Sequence, residues 1–285
     1  MKFLVLGCNG MAGHMISLYL KEHGHEVEGF AREESKLIKT IVGDVRDLEL
    51  LSEIIARENY HAVVNGVGLL NQFAEKDHEA AVYLNSYLPQ FLAKLTKESD
   101  TQIIHISTDC VFSGSQGGYT EEAFPDGNSF YDRSKALGEL VNKKDITFRN
   151  SIIGPDMKKD GIGLINWFMQ QKGRVKGYTN AIWTGQTSLQ LAKTIENAVR
   201  QKIYGLYHMV PEESISKYDM LVLFNRYLRS KPIEIVKENS LKIDKSLKRT
   251  NYKMFPYRIP GYEEQVKELG EWMQKHRELY PHYGL

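Results

Sequence analysis

The sequence predicts an α/β protein, a doubly wound parallel sheet that carries a smaller C-terminal lobe. Two observations predict it. Short apolar runs alternate with amphipathic stretches of helical spacing up to about residue 154, and alternation of this length builds right-handed βαβ crossovers with helices on both faces of a parallel sheet. Beyond 154 the alternation stops and longer irregular segments appear. At 285 residues the chain is long for one compact domain and short for two large ones, so one main core with a smaller lobe fits best.

The elements follow in order. Phe3 to Leu6 is a buried first strand that runs into Gly7. Met11, Met15, Leu18 and Tyr19 are spaced for one face of a helix over about 11–23, and Gly24 closes it, as glycine commonly does. His25 to Ala31 and Thr40 to Val42 are the second and third strands, with a helix from Leu48 to Glu58. His61 to Asn65 is the fourth strand, and a long helix spans about 79–98. Gln102 to Ser107 is the fifth strand, Ser134 to Val141 a helix, and Ile146 to Ile153 the sixth strand. Asp156 to Gly161 is a charged, glycine-containing loop. Next comes a helix with Leu164, Ile165, Trp167 and Phe168, where Trp167 is expected in the core. A strand near Tyr207 to Val210 and a final helix from about Glu263 to Lys275 complete the chain.

Composition narrows the function classes. Hydrophobic residues make up 42% and charged residues 26%, with a net charge of +1 and no long basic run, so nucleic acid is not an expected partner. No apolar stretch reaches the roughly 18 residues of a membrane span, and the apolar run after Lys2 is too short for a signal peptide. Cys8 and Cys110 are the only cysteines and make no disulfide framework, so a reduced, cytoplasmic setting is expected. The nine histidines show no ligand spacing, and no metal site is expected. The sequence leaves a homodimer open.

In sheets of this kind ligands bind beyond the C-terminal strand ends, and the unusual residues fall there. Gly7-Cys8-Asn9-Gly10-Met11-Ala12-Gly13 joins the first strand to the first helix as G-x-x-G-x-x-G. Glycines permit the tight turn, the close approach of backbone to a pyrophosphate and the packing of helix on strand. The helix N-terminus offers its free N–H groups to the anion. This is a Rossmann-type dinucleotide site, with Gly7, Asn9, Gly10, Met11, Ala12 and Gly13 as expected contacts. The second strand ends Gly29-Phe30-Ala31-Arg32 with no acid at its tip for a ribose 2′-hydroxyl. Arg32 suits a 2′-phosphate, so NADPH is the expected cofactor and NADH the alternative. Asp44 either bonds the adenine, with Val45 packed on it, or caps the helix that follows. Residues 1–154, with a later return at about 180–212, are the expected dinucleotide-binding domain. Residues 155–179 and 213–285 are the expected substrate lobe.

Tyr131-Asp132-Arg133-Ser134-Lys135 gives Y-x-x-x-K. On a helix the two lie on one face, and an ammonium beside a phenol should lower the phenol's pKa into the range of acid–base work. The fifth strand ends in a run of hydroxyl residues, Ser107-Thr108, able to hydrogen-bond a substrate carbonyl.

Taken together these pieces resemble the extended short-chain dehydrogenase/reductase family, and within it the dTDP-4-dehydrorhamnose reductase family. The matching segments stand in family order. They are the glycine loop, Asp44-Val45, Val63-Val64-Asn65-Gly66-Val67-Gly68, Asn85 with Pro89, Ser107-Thr108-Asp109-Cys110-Val111-Phe112-Ser113-Gly114, Tyr131-x-x-x-Lys135, Arg149 to Gly154, and Gly185-x-Thr187 with Leu191-Ala192. The resemblance implies that Thr108, Tyr131 and Lys135 are the catalytic triad. Tyr131 would protonate the C4 oxygen of a keto sugar nucleotide and Lys135 would bind the nicotinamide ribose. Thr108 would orient the carbonyl, Asn65, Gly66 and Val67 would line the cofactor, and Asn85 would support the site. Asp109, Cys110 and Phe112 would meet the substrate. Tyr178 and Trp183 are candidates for stacking on it, and Lys245, Lys248 and Arg249 either meet the diphosphate or are solvated.

Two departures matter. The reductases usually carry tyrosine where Cys110 stands, and the loop Leu69-Leu70-Asn71 lacks their usual polar pair. Related 4,6-dehydratases carry Thr-Asp-Glu where this chain has Thr108-Asp109-Cys110, so dehydration lacks its base. Epimerases of the family retain NAD, whereas Arg32 suits an exchanging NADPH. A non-catalytic cofactor-binding subunit, like the regulatory subunit of methionine adenosyltransferase, is the rival from another class, and the intact Tyr131/Lys135 pair argues against it.

Overall fold

Beginning at the N-terminus, β1 (Lys2–Leu6), α1 (Met11–Glu22), β2 (Glu26–Ala31), β3 (Lys39–Val42), α2 (Leu48–Arg57) and β4 (Ala62–Asn65) alternate as the sequence predicts. The structure is a computed structural model that describes residues 1–285. A short α3 (Asn71–Lys76) leads into α4 (His78–Ala81), a π-helical segment (Val82–Tyr87) and α5 (Leu88–Leu95), and these last three run on as one rod. Next come β5 (Gln102–Ile106), a 3₁₀ turn (Asp109–Val111), α6 (Phe130–Leu137), β6 (Ile146–Arg149), β7 (Ser151–Ile153) and α7 (Leu164–Gln170). The remainder comprises β8 (Arg174–Tyr178), β9 (Ala181–Trp183), β10 (Gly185–Thr187), α8 (Ser188–Arg200), β11 (Gly205–His208), β12 (Ile215–Ser216), α9 (Lys217–Tyr227), β13 (Glu234–Glu238), β14 (Ile243–Asp244) and α10 (Tyr262–Lys275).

Seven parallel strands form the main sheet in the order β11-β6-β5-β4-β1-β2-β3. Neighbouring side chains of a strand point to opposite faces, which explains why these strands read as unbroken apolar runs. Phe3, Val5, Ala62, Val64, Ile104 and Ile106 enter a 41-residue core shared with α1, α8 and α10. The intervening Leu4, Leu6, Val63 and Ile103 enter a 13-residue core shared with α2 and α5. No helix is long and apolar enough to cross a membrane.

Four expectations need adjusting. α6 begins at Phe130, not Ser134, because Ser129 and Asp132 form a reciprocal capping box at its start. The sixth strand breaks at Asn150, a poor strand former: β6 stays in the main sheet while β7 leaves it to pair with β10. In the segment at about 180–212, β11 takes the edge of the main sheet, whereas β9 pairs with β12 and β14. Trp167 is 42% exposed, since it lies on the outer side of α7 while Ile165 and Phe168 take the core.

Residues after α10 return to the first helix. The His14 Nδ1 lies 3.0 Å from the Gly10 carbonyl and so carries the proton, which leaves Nε2 to accept from the buried Tyr280 hydroxyl at 2.9 Å. Burial holds the His14 pKa down to about 4. The Tyr283 hydroxyl accepts from the Asp156 N–H at 2.8 Å.

Gly138, at the end of α6, faces the π-helical segment so closely that a Cβ there would stand 1.9 Å from the Asn85 carbonyl oxygen. Gly138→Ala is therefore expected to destabilise the fold by about 1–3 kcal/mol, as overpacking does. Denaturant unfolding with an unchanged midpoint would refute this packing.

Candidate active site

A cleft of about 670 Å³ opens beyond the C-terminal ends of β1, β2 and β4, within the size range of small-molecule and cofactor sites. Gly7 takes a φ of +74° and its N–H donates to the Phe30 carbonyl at 2.8 Å, which closes the turn after β1. A Cβ on Gly13 would fall 2.1 Å from the Gly7 oxygen, so this glycine lets α1 pack on the turn. Gly10 caps α1 without a side-chain bond, and Gly10 and Met11 line the cleft. The first-turn N–H groups are thus available to an anion. Asn9 lines the cleft and donates to the Glu33 carbonyl at 2.8 Å, tying the glycine loop to the segment after β2. Ala12 instead packs against the larger core.

Around the cleft stand Arg32, as expected, and two cations the sequence reading did not single out, Arg46 and Lys158. Lys158 belongs to the charged loop after β7 that roofs the cleft, and its Nζ lies 3.7 Å from Glu33. Asp44 is not the helix cap. Asp47 caps α2 by accepting from the Leu50 N–H at 3.0 Å. Asp44 accepts from the Arg46 N–H at 2.9 Å and lines the cleft beside the buried Val45. Gly66 and Val67 line it too. A glycine cradle, a free helix N-terminus and three cations lining the same cleft as Asp44 fit an adenine dinucleotide carrying an extra phosphate.

Asn65 and Asn85 act from beneath. Asn65 is buried, accepts from the Val67 N–H at 3.2 Å and meets His105, so it shapes the loop and does not line the cleft. Asn85, expected among the cofactor contacts, is fully buried. Its Oδ1 accepts from the Leu69 N–H at 2.8 Å and its Nδ2 donates to the Leu69 carbonyl and the Ser134 hydroxyl, each at 3.0 Å.

The cleft lining reaches Gly68 and Leu69, and the Tyr131–Lys135 pair of α6 lies just past them. The Lys135 ammonium donates to the Ile106 carbonyl at 2.7 Å, and a Cβ built on Gly68 would stand 3.9 Å from it. Tyr131 is buried among Ala74, Ala81, Leu69, Cys110 and Phe130. Thr108 follows β5 and caps the 3₁₀ turn by accepting from the Cys110 N–H at 3.1 Å, and its hydroxyl is close enough to the Tyr131 phenol to act on its acidity. Glu75 of α3 accepts from the Phe130 and Tyr131 N–H groups at 2.7 and 3.2 Å, which fixes the start of α6. No pattern in the sequence marks Glu75.

The protonation picture differs from the expectation for Tyr131. Burial raises its phenol, Cys110 and Asp109 add to the rise, and the nearby Thr108 hydroxyl opposes it. Lys135 does not offset this, because its ammonium is turned to the Ile106 carbonyl; burial lowers its own pKa to about 8, against the pull of Glu139. Glu139 is buried, accepts from the Ser107 hydroxyl at 2.7 Å and pairs with the equally buried Arg149. His105 is kept neutral by burial and by the nearby Lys135 charge.

The expected substrate contacts divide. Asp109 and the half-buried Cys110 stand beside Tyr131; burial raises both, Cys110 to about 12. Phe112 is not at the site. It is fully buried, stacked on Tyr119 at 4.2 Å with the Arg149 guanidinium over its ring, because its side chain points into the core below the loop. Tyr178 lies 37% exposed on β8 and lines neither this cleft nor a second one around Thr184, Lys248 and Tyr252. Trp183 is buried, with Lys217 over its ring. Arg249 is spent on the carbonyls of Phe255 and Tyr257, while Lys248 lines the second cleft.

A doubly wound sheet with this glycine turn, cleft and Tyr–Lys helix defines an NADP-dependent oxidoreductase of the extended short-chain dehydrogenase/reductase type. The profile of the family described as "RmlD substrate binding domain" matches residues 1–258, and the chain belongs to that family. It is 24% identical over 255 residues to a dTDP-4-dehydrorhamnose reductase of Aggregatibacter actinomycetemcomitans, covering 82% of each chain. It is 25% identical over 228 residues to a probable low-salt glycan biosynthesis reductase of Haloferax volcanii, covering 75% of this chain and 76% of the other. Among solved structures, the dTDP-4-dehydrorhamnose reductase of Bacillus anthracis in complex with NADP superposes with a TM-score of 0.77 at 19% identity, over 94% of this chain and 98% of that one. That likeness shows the shared fold.

Two outcomes follow from the charges. Removing a hydrogen bond to a charged group costs about 1.5–3 kcal/mol. Arg32→Ala should therefore weaken NADPH binding by about tenfold or more while NADH binding changes little; equal losses for both would exclude a 2′-phosphate role. The Lys135 charge is present below about pH 8 and lost above it. Turnover should accordingly decline as pH rises through 8, and a rate that keeps climbing to pH 10 would remove the charged lysine from the mechanism.

Proposed function

We propose that this chain reduces the 4-keto group of a nucleotide-activated 6-deoxyhexose with NADPH, in the supply of deoxysugars for a polysaccharide or glycan. The observation that carries the reading is the meeting of Thr108, Tyr131 and Lys135 where the cofactor cleft ends at Gly68 and Leu69. The names of the relatives, which include dTDP-4-dehydrorhamnose reductases and glycan and spore-coat polysaccharide proteins, support the substrate class.

In this reading the glycine loop holds the pyrophosphate on the N-terminus of α1, and Arg32, with Arg46 and Lys158, receives the 2′-phosphate. Asp44 and Val45 flank the adenine. The bound nicotinamide supplies the hydride. Tyr131 then gives its phenolic proton to the carbonyl oxygen, and its raised pKa keeps it protonated until that oxygen needs the proton. Thr108 hydrogen-bonds the same oxygen and the phenol, orienting one toward the other. Lys135 stays charged near neutral pH and, close to Gly68 at the end of the cleft, would hold the nicotinamide ribose. Cys110 argues against dehydration: a thiol raised to about 12 is no base for a sugar C–H near neutral pH.

The direct experiment supplies dTDP-4-keto-6-deoxyglucose with NADPH and follows cofactor oxidation. Absence of turnover on this and a panel of other 4-keto nucleotides refutes the reading. Tyr131→Phe should lower kcat by about 10²–10⁴-fold, the range of general acid catalysis, while NADPH binding persists. A variant as fast as the parent would exclude Tyr131 as the proton donor.

A further inference from the structure

Lys217, which the sequence reading passed over, is the first residue of α9. The two residues before it form β12, whose Ile215 and Ser216 pair with Trp183 and Ile182 of β9. That register holds the lysine against the indole, with Nζ 4.9 Å from the ring centroid. The indole is itself fixed, only 4% exposed and tilted against Tyr262 at 5.7 Å. Asp109 and Cys110, in the turn that directly follows Thr108, are near enough to act on the Lys217 charge. The lysine side chain is half-buried, makes no hydrogen bond, and forms no ion pair with any carboxylate of the chain. Asp109 does not complete it: that carboxylate accepts from the Thr108 hydroxyl at 3.2 Å and also feels Lys245.

Withdrawing an ammonium from water without an anionic partner is unfavourable. Burial accordingly lowers the Lys217 pKa to about 8, with Asp109 opposing the shift. A cation kept in this way, on an aromatic face and beside the catalytic threonine's turn, is arranged for an anion that arrives with the substrate. Resting on the reading of the substrate as a nucleotide sugar, we propose that Lys217 and Trp183 form a subsite that binds an oxyanion of that substrate. In a nucleotide-activated 6-deoxyhexose, whose C6 is a methyl group, the diphosphate has this chemistry. The cation–π contact then orients the ammonium, and the substrate's negative charge replaces the missing partner.

The test is calorimetric titration of the NADPH-loaded parent, Lys217→Met and Lys217→Arg with a matched pair, dTDP and thymidine. Lys217→Met should lose about tenfold or more in affinity for dTDP, as expected for a lost bond to a charged group, with thymidine binding unchanged, and Lys217→Arg should recover most of the loss. If Lys217→Met binds both as the parent does, or weakens both alike, the subsite is overturned. A parent that binds neither dTDP nor its uridine equivalent overturns the nucleotide-sugar reading and the subsite with it. Unchanged NADPH affinity in both variants reports the intact fold, since neither Lys217 nor Trp183 lines the cleft proposed for that cofactor.

Discussion

The bond from the Lys135 ammonium to the Ile106 carbonyl ties the site to the sheet. Ile106 is the last residue of β5, so this one donor, 2.7 Å away, fastens the short helix α6 to the strand edge where the chemistry belongs. Everything else about α6 makes that anchorage unique. Its start is held by the Ser129–Asp132 box and by Glu75. Its middle is held by Ser134, which meets both Asn85 and Ser86. The π-helical turn matters here. The adjacent Asn85 and Ser86 of this segment both meet α6, and π-segments tend to occur at functional sites.

Keeping a charged lysine dry requires compensation, and the chain provides it in layers. Glu139 stands behind Lys135 and favours its charged form. Glu139 is in turn held by the Ser107 hydroxyl and by Arg149, and Arg149 reaches His208, which burial keeps neutral. A buried ion pair of this kind contributes little net stability; its value here is positional, because it fixes which way the β5 and β6 ends face. The neutral His105 and His208 fill space in the same region without adding charge.

Much of this architecture was legible in the residues. The strand alternation and the glycine turn at Gly7 to Gly13 are dictated by local packing and backbone freedom, and they appear as read. The capping box at Ser129 and Asp132 is a local feature too, but the apolar pattern there is weak, so helical spacing marks the helix only from Ser134. Other features depend on distant partners and leave no local trace. Phe112 reads as a site aromatic until Tyr119 and Arg149 are found stacked around it. Glu75, Arg46 and Lys217 look like ordinary surface charges until the loops and the small lobe fold around them. The Tyr131 phenol was expected to be lowered by Lys135, but that lysine's hydrogen bond goes to the backbone, and burial decides the direction.

The contact between His14 and Tyr280 bears on how the chain is made. The two residues are 266 positions apart. At synthesis rates of roughly 5–20 residues per second, His14 leaves the ribosome on the order of tens of seconds before its buried partner exists. During that interval the helix that follows the glycine turn has one side uncovered. Long-range closures of this sort slow folding, and they place completion of the packing around α1 among the last events in the birth of the molecule.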